Sequence, residues 1–240
     1  MNQFTSEFAK HWDELIDWEK RIESENNFLI DLLKRYGVRA VLDAATGTGF
    51  DSVQLAKAGF NVMSIDESEN MLNQALINAS RYGVTLNTQQ CCWGKSKIRK
   101  KFDAVVCLGN SLACATDEKV RSDAASEWGN LLNPGGIIVV DHRNYDSMIK
   151  NGLQKSKKFY YLSHNVIINP KEISVEMTKF NYKFGDGTDY DLDMYPLSMI
   201  EIKELFIKKG LKLKESYGDR ISGAENDDVS FYLHVFEKVN

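Results

Sequence analysis

The sequence lacks the features that would place it in a membrane, on nucleic acid or outside the cell. Its 240 residues contain no apolar run of membrane-spanning length. Residues 1–12 have no apolar core of the kind found in a signal peptide. The formal charge is -4 and the isoelectric point is about 5.7, so no basic excess is present to attract nucleic acid. We therefore expect a cytoplasmic protein whose partners include neither a membrane nor a nucleic acid.

Cysteine is scarce, and its spacing excludes the common metal sites. None of the four cysteines forms a C-x-x-C pair, and no histidine lies at a zinc-like spacing from them. We therefore expect no bound metal, and in a cytoplasmic protein we expect no disulfide. Hydrophobic residues make up 43% of the chain, enough for a sizeable core. The length corresponds to one large domain, or to one domain with an insertion.

A glycine-containing turn between an apolar run and a helical segment is the most informative local feature. Residues 41–49 read V-L-D-A-A-T-G-T-G, and D-S-V-Q-L-A follows from position 51. Gly47 and Gly49 lack a Cβ, so a ligand can lie against the backbone there. The N-terminus of the following helix offers unpaired N–H groups to an anionic group. The pattern predicts a turn that binds a nucleotide cofactor.

The acids around this turn favour one cofactor over another. Asp66 ends the apolar run 60–65 and could hold both hydroxyls of a ribose in either case. A dinucleotide fingerprint would carry a third glycine, where this chain has Ser52. Asp43 instead completes D-x-x-x-G-x-G, which resembles motif I of S-adenosylmethionine (SAM) dependent methyltransferases. Asp43 either orders the turn or contacts the ligand.

Strand-like and helix-like segments alternate after the N-terminus, which indicates a parallel sheet with helices on both faces. Residues 5–36 have helical periodicity, and Gly37 is a plausible stop. The predicted strands are 39–44, 60–65, 84–90, 102–108 and 136–141, and the predicted helices are 51–58, 69–82 and 118–131. The fold class expected is α/β, with the Rossmann-like seven-stranded sheet of class I methyltransferases.

The alternation stops in the segment 150–195. Strand-like stretches at 160–162, 166–168, 173–182 and 189–195 are separated by short polar turns, which favours antiparallel strands. We interpret 150–195 as an antiparallel β insertion that covers the substrate side of a core formed by 1–149 and 196–240, in which 1–37 are N-terminal helices. A helix from Pro196 through Ile207 and a strand pair at 211–215 and 229–236 would close the core.

Two segments are rarer than the glycine turn. They are C-L-G-N-S at 107–111 and D-H-R-N-Y-D at 141–146. With them, most of the chain resembles glycine N-methyltransferase and its bacterial glycine/sarcosine relatives. The resemblance implies transfer of a methyl group from SAM to a nitrogen of a small molecule, with S-adenosylhomocysteine as product. It also implies a monomer or a small homo-oligomer, because the family's longer N-terminal segment has no counterpart here.

The resemblance assigns roles position by position. Cys92 stands where the family has an asparagine before the adenine-lining tryptophan, and Arg21 falls within one residue of a carboxylate-binding arginine of the family. The implied cofactor-binding residues are Trp12, Arg21, Asp43, Ala45, Gly47, Gly49, Asp66, Met71, Cys92, Trp93 and Leu108.

The implied acceptor site departs from the family pattern. Asn110 would lie beside the transferred methyl group and the acceptor amine, with Tyr160 or Tyr161 supplying a catalytic hydroxyl and Tyr145 contributing to substrate binding. Asp191 aligns with an arginine that clamps the glycine carboxylate, and no arginine occurs between positions 143 and 220. Asp would repel a carboxylate. Cys114 also replaces a family histidine.

The expected acceptor is therefore an amine or a nitrogen heterocycle, bound in part by Asp191. Three alternatives remain. The chain could methylate glycine or sarcosine despite Asp191, or it could be a natural-product N- or O-methyltransferase acting on an aromatic heterocycle. It could also be a SAM-binding protein without turnover, although intact Gly47, Gly49, Asp66 and Asn110 argue against that.

Overall fold

The computed structural model describes residues 5–152, 163, 165–222 and 229–239. In these residues no helix is both long and apolar enough to cross a membrane. The helices are α1 (Ser6–Leu15), α2 (Trp18–Glu25), α3 (Phe28–Arg35), α4 (Phe50–Lys57), α5 (Glu69–Arg81), α6 (Glu118–Leu131), α7 (Tyr145–Asn151) and α8 (Met199–Ile207). The strands are β1 (Ala40–Asp43), β2 (Asn61–Asp66), β3 (Asn87–Gln90), β4 (Phe102–Cys107), β5 (Leu132–Arg143), β6 (Ile167–Ile173), β7 (Thr178–Lys183), β8 (Asp189–Met194), β9 (Leu211–Gly218), β10 (Ile221–Ser222) and β11 (Phe231–Lys238).

The main sheet has the expected class I methyltransferase arrangement. Its strand order is β10-β9-β11-β5-β4-β1-β2-β3, which is seven strands extended by the two-residue β10. Strands β1 to β5 pair in parallel, whereas β11 is antiparallel to both β5 and β9. The predicted α/β fold and its closing strand pair are confirmed.

Alternating side chains build a core on each face of this sheet. Leu42, whose neighbours Val41 and Asp43 point the other way, packs with Trp128 of α6 and Phe206 of α8. Val41 packs on the opposite face with Leu33 of α3. Because both faces are covered, the central strands β1 and β4 are mostly apolar, whereas the edge strand β3 is polar.

The N-terminal segment forms three helices. Asp17 caps the start of α2 by accepting a hydrogen bond from the Lys20 amide at 3.1 Å. Asn26 and Asn27 then adopt left-handed backbone conformations between α2 and α3. These two breaks separate the three helices, of which α1 contacts α5 and α3 packs against the sheet.

A separate sheet, called here the small sheet, consists of β6, β7 and β8 paired antiparallel. The antiparallel arrangement was predicted, but the predicted strand 173–182 is interrupted. The Ser174 amide donates to the Met177 carbonyl at 2.9 Å, and this turn separates β6 from β7. The small sheet packs on α1, where the Phe8 and Tyr190 rings meet edge to face at 4.8 Å. Its role as a substrate cover stays a prediction, and so does the division of the chain at 150–195.

One helix was not predicted. Asn144 accepts a hydrogen bond from the Ser147 amide at 3.0 Å and thereby caps α7, directly after β5. Strand β5 also begins at Leu132 rather than at Gly136. The predicted helix after Pro196 is present as α8, and a capping box of Ser198 and Glu201 begins it.

Candidate active site

A cavity of about 690 Å³ lies at the carboxyl ends of β1, β2, β4 and β5. Its volume is within the range of small-molecule sites, which spans roughly 300–1,000 Å³. One end, called here the cofactor end, contains Gly47, Asp66 and Trp93. The other, called the acceptor end, contains Asn110, Arg143 and residues of the small sheet.

The two glycines of the turn have different structural roles. Gly47 lines the cavity with a φ of +53°. Gly49 is not among the lining residues. With a φ of +95° it begins α4, and a Cβ there would lie only 2.9 Å from the Ala75 Cβ on α5. Gly49 therefore permits close packing of the turn on α5, and its contact with the cofactor stays a prediction.

Asp43 lies behind the turn rather than in the cavity. Its carboxylate is buried, accepts a hydrogen bond from the Ser52 hydroxyl at 2.6 Å and faces the Ala45 amide at 3.3 Å. Burial, with a smaller contribution from the charge of Asp51, raises the pKa of Asp43 to about 7. Of the two roles left open by the sequence, this geometry corresponds to ordering the turn.

Asp66 faces the cavity from the end of β2. One carboxylate oxygen accepts the Gly47 amide at 2.8 Å, and the other accepts the Ser68 amide at 2.9 Å. Burial raises the pKa of Asp66, and these two N–H groups oppose that shift. A carboxylate has about four acceptor positions, so each oxygen keeps one for a hydroxyl donor. The site therefore fits the two hydroxyls of a ribose.

Trp93 combines a structural contact with a cavity surface. Its indole N–H donates to the Ala44 carbonyl at 2.5 Å, and its ring meets Trp128 of the core edge to face at 5.4 Å. The other cofactor-end residues that line the cavity are Trp12, Arg21, Ala45, Met71, Cys92 and Leu108. An aromatic and aliphatic wall beside Asp66 is suited to an adenine next to its ribose, so these residues fit SAM.

Asn110 is held in one orientation by every polar group it has. It adopts a left-handed conformation with φ +64°, and its amide donates to the Asp141 carboxylate at 2.7 Å. Its side-chain oxygen accepts the Arg143 amide at 3.0 Å, and its side-chain nitrogen donates to the Tyr145 hydroxyl at 2.8 Å. Tyr145 itself is fully buried and is not a lining residue, so its contact with the site runs through Asn110.

Arg143 is a site residue that the sequence interpretation missed. It ends β5, is only 8% exposed and lines the cavity. Its guanidinium carbon lies 4.9 Å from the Phe231 ring centroid and 5.2 Å from that of Phe180. The available signal was its position at the carboxyl end of a strand that belongs to the cavity edge. A buried guanidinium with aromatic walls is suited to an anionic ligand.

The interpretation that placed Asp191 against the acceptor needs correction. Its side chain is 42% exposed and is not among the residues lining the cavity. One oxygen pairs with Lys171 at 2.8 Å, the other accepts from Asn181 at 2.7 Å, and the Lys171 hydrogen bond lowers the pKa of Asp191. Asp191 therefore gives no reason to exclude a carboxylate-bearing acceptor. Tyr160 and Tyr161 lie outside the described residues, and their role stays a prediction.

Comparison with known proteins identifies the family. Residues 41–136 match the family model described as "Methyltransferase domain". The glycine/sarcosine N-methyltransferase of Halorhodospira halochloris is 38% identical over 98% of this chain and 89% of its own length. The chain belongs to the glycine/sarcosine N-methyltransferase family. The glycine N-methyltransferase of Mus musculus is a further member, 35% identical over 98% of this chain and 92% of its own length.

This N-methyltransferase also shares its fold with more distant enzymes. A SAM-dependent methyltransferase from Clostridium acetobutylicum ATCC 824 superposes with a TM-score of 0.78 at 18% identity and covers 98% of both chains. Such a likeness concerns the fold alone. Together the family and the site identify the protein as a SAM-dependent N-methyltransferase of small molecules, whose product from the cofactor is S-adenosylhomocysteine. No group of three or more potential metal ligands occurs among the residues described.

Proposed function

We propose that this enzyme methylates the amino group of glycine, and of its monomethylated product sarcosine. The observation that supports the proposal most directly is the buried guanidinium of Arg143 in the cavity that also contains Asn110. The names of the family members 37–40% identical to this chain point to the same two acceptors.

Arg143 is the group we propose for binding the acceptor carboxylate. A guanidinium pairs with a carboxylate through two parallel hydrogen bonds, and such pairs strengthen where water is excluded. The Phe180 and Phe231 rings exclude water on two sides of it. The buried Tyr182 hydroxyl, whose pKa is raised by burial and lowered in part by Arg143, is a second donor at the same place.

Asn110 is the group we propose for orienting the acceptor nitrogen. Its oxygen already accepts one N–H, from Arg143, and an amide oxygen has a second acceptor position. When bound, SAM supplies a methyl group on a sulfonium that is already activated for in-line displacement. The protein therefore contributes mainly by positioning, because a well-oriented pair of reactants removes much of the entropic barrier. Asn110 accepts a hydrogen bond from the backbone amide of Arg143, and both residues line the same cavity, so their side chains would fix the two ends of one small amino acid.

A substrate panel analysed by mass spectrometry tests this proposal. The purified protein and SAM would be incubated with glycine, sarcosine, dimethylglycine, simple amines and nitrogen heterocycles. We expect methylated glycine and sarcosine, with amines that lack a carboxylate nearly inert. Methylation of a heterocycle or an amine with inert glycine would overturn the proposal and favour the acceptor class first expected from the sequence.

The variant Arg143→Gln tests whether Arg143 binds the acceptor carboxylate. We expect KM for glycine to rise on the order of 100-fold, because losing one partner of a buried charged pair costs about 2–5 kcal/mol. The dissociation constant for SAM should stay within about twofold. The matched control is Arg35→Gln, which breaks an exposed pair with Glu215 and should leave KM unchanged.

The remaining expectations concern the oligomeric state, the cellular location and the partners of the enzyme. We propose a cytoplasmic enzyme that acts as a monomer or small homo-oligomer, without a nucleic-acid or membrane partner. Light scattering coupled to size-exclusion chromatography measures the oligomeric state, and a large assembly would contradict this expectation.

A further inference from the structure

Four charged side chains form a buried cluster beside the cofactor end of the cavity. They are Arg21 and Glu25 on α2, Asp51 in the first turn of α4, and Arg220 after β9. Glu25 accepts from Arg21 Nε at 2.6 Å and from Arg220 Nη2 at 2.7 Å. Their side chains are only 7–18% exposed, so these contacts are little screened by water.

The cluster gives Arg21 a single orientation. Its Nε donates to Glu25, its Nη2 donates to both Asp51 oxygens at 3.1 Å, and its guanidinium carbon lies 3.9 Å over the Phe50 ring. Arg21, Phe50 and Asp51 line the cavity next to the glycine turn, whereas Glu25 does not. Arg21 contacts Glu25 directly and lines the cavity, so it is the direct link between Glu25 and a ligand there.

The two arginines favour the charged form of Glu25. Burial alone would raise its pKa, but the charges of Arg21 and Arg220 outweigh burial and lower the pKa to about 2. If the Glu25 charge were removed, Asp51 would remain as the partner of Nη2, and the Nε end of the Arg21 guanidinium would lose the contact that fixes its orientation.

We propose that Glu25 is a positioning residue that fixes the Arg21 guanidinium where it receives the carboxylate of the methionine portion of SAM. Arginine binds a carboxylate well only when its planar fork is correctly aligned, so a group that sets its orientation also sets the affinity. The inference concerns the cofactor and is independent of the acceptor, so inert glycine would leave it standing.

Two adenosine ligands distinguish positioning from a general structural role. S-adenosylhomocysteine carries the amino-acid carboxylate, whereas 5′-methylthioadenosine has the same nucleoside and sulfur without it. Isothermal titration of the full-length chain would measure both affinities in Glu25→Gln. We expect S-adenosylhomocysteine to bind about tenfold more weakly, which corresponds to about 1.4 kcal/mol. We expect 5′-methylthioadenosine to change by less than about twofold.

Two further variants complete the test. Glu19→Gln on the same helix breaks an exposed pair with Arg81 and should change neither affinity. Arg21→Gln should remove the difference between the ligands, and adding Glu25→Gln to it should have little further effect. If Glu25→Gln is too unstable to titrate, Glu25→Asp keeps the charge at a shorter reach and should show the same selectivity in weaker form. Equal weakening of both ligands, or no weakening of either, would overturn the proposal.

Discussion

The two ends of the cavity are built in different ways. The cofactor end depends on short, nearly continuous segments, in which Asp43 ends β1, Gly47 follows it and Asp66 ends the next strand. The acceptor end gathers side chains from distant places: Asn110 after β4, Arg143 at the end of β5 and Tyr182 in the small sheet. A local motif therefore reveals the first end, whereas the second depends on how the chain folds back on itself.

Removing the Asn110 side chain should impair the acceptor end and leave cofactor binding nearly unchanged. Asn110→Gly should lower kcat on the order of 100-fold, because the Arg143 backbone and the Tyr145 hydroxyl both lose the partner that aligns them. The dissociation constant for SAM should change little. Glycine tolerates the left-handed conformation at this position, so the variant removes the amide without adding backbone strain.

Asn110→Ala is the companion variant. It should show the same loss of kcat and, in addition, unfold more readily by about 1–2 kcal/mol, because alanine is strained in that conformation. Wild-type turnover in Asn110→Gly would contradict the role proposed for this side chain. Steady-state kinetics and thermal unfolding measure both effects.

Asp66→Asn should weaken cofactor binding and leave acceptor binding unchanged. An asparagine side chain has one acceptor oxygen where Asp66 uses two, so either Gly47 or Ser68 would face an N–H donor. We expect the dissociation constant for SAM to rise on the order of 30-fold, which corresponds to about 2 kcal/mol. KM for the acceptor, measured at saturating SAM, should stay unchanged, and an equal rise in both would show that the ends are not separable.

The buried Asp43 should make the cofactor end sensitive to pH. Its folded pKa, about 7, is above its ordinary value of 3.8, so the folded state holds a proton that the unfolded state has released. Its contribution to stability is therefore present at low pH and is lost as pH rises toward 7. Between pH 6 and 7 the loss should be about 1 kcal/mol, or about 3 °C in Tm.

Asp43→Asn isolates that effect from the other carboxyl groups. The difference in Tm between wild type and this variant should change across the same pH interval, since only Asp43 distinguishes the two proteins. A constant difference would mean that Asp43 does not titrate there. The buried Asp141, whose pKa burial raises to about 6, is present in both proteins and cancels.

The smallest expected effect belongs to Asp191→Asn. This residue makes an exposed pair with Lys171, and such pairs contribute about 0–1 kcal/mol. We expect kcat/KM for glycine to change by less than about twofold. A tenfold rise would restore the interpretation in which Asp191 repels the acceptor carboxylate.

The cofactor end could be predicted from the sequence more fully than the acceptor end. Alternating apolar runs and an acid at a strand end are local signals, so the sheet and Asp66 could be predicted. The capping asparagine Asn144 was also a local signal, and α7 could have been found from it.

Arg143 illustrates what local signals omit. The resemblance directed attention to position 191, and nothing in the linear spacing relates residues 110, 143 and 182. These positions meet only because β5 pairs with β4 and the small sheet packs near the same edge. Alignment to a single expected arginine was a weaker guide than the rule that residues ending parallel strands share one edge.

The left-handed backbone at Asn110 limits what evolution can place there. Few residues adopt that conformation cheaply, chiefly glycine, asparagine and aspartate. Glycine offers no side-chain contact, and aspartate would place a second carboxylate beside Asp141 while losing the N–H donated to Tyr145. Conformation and chemistry thus select the same amino acid independently. A change in acceptor specificity would therefore require substitutions in the residues around this asparagine, such as Met194 and Cys114, while the asparagine itself stayed unchanged.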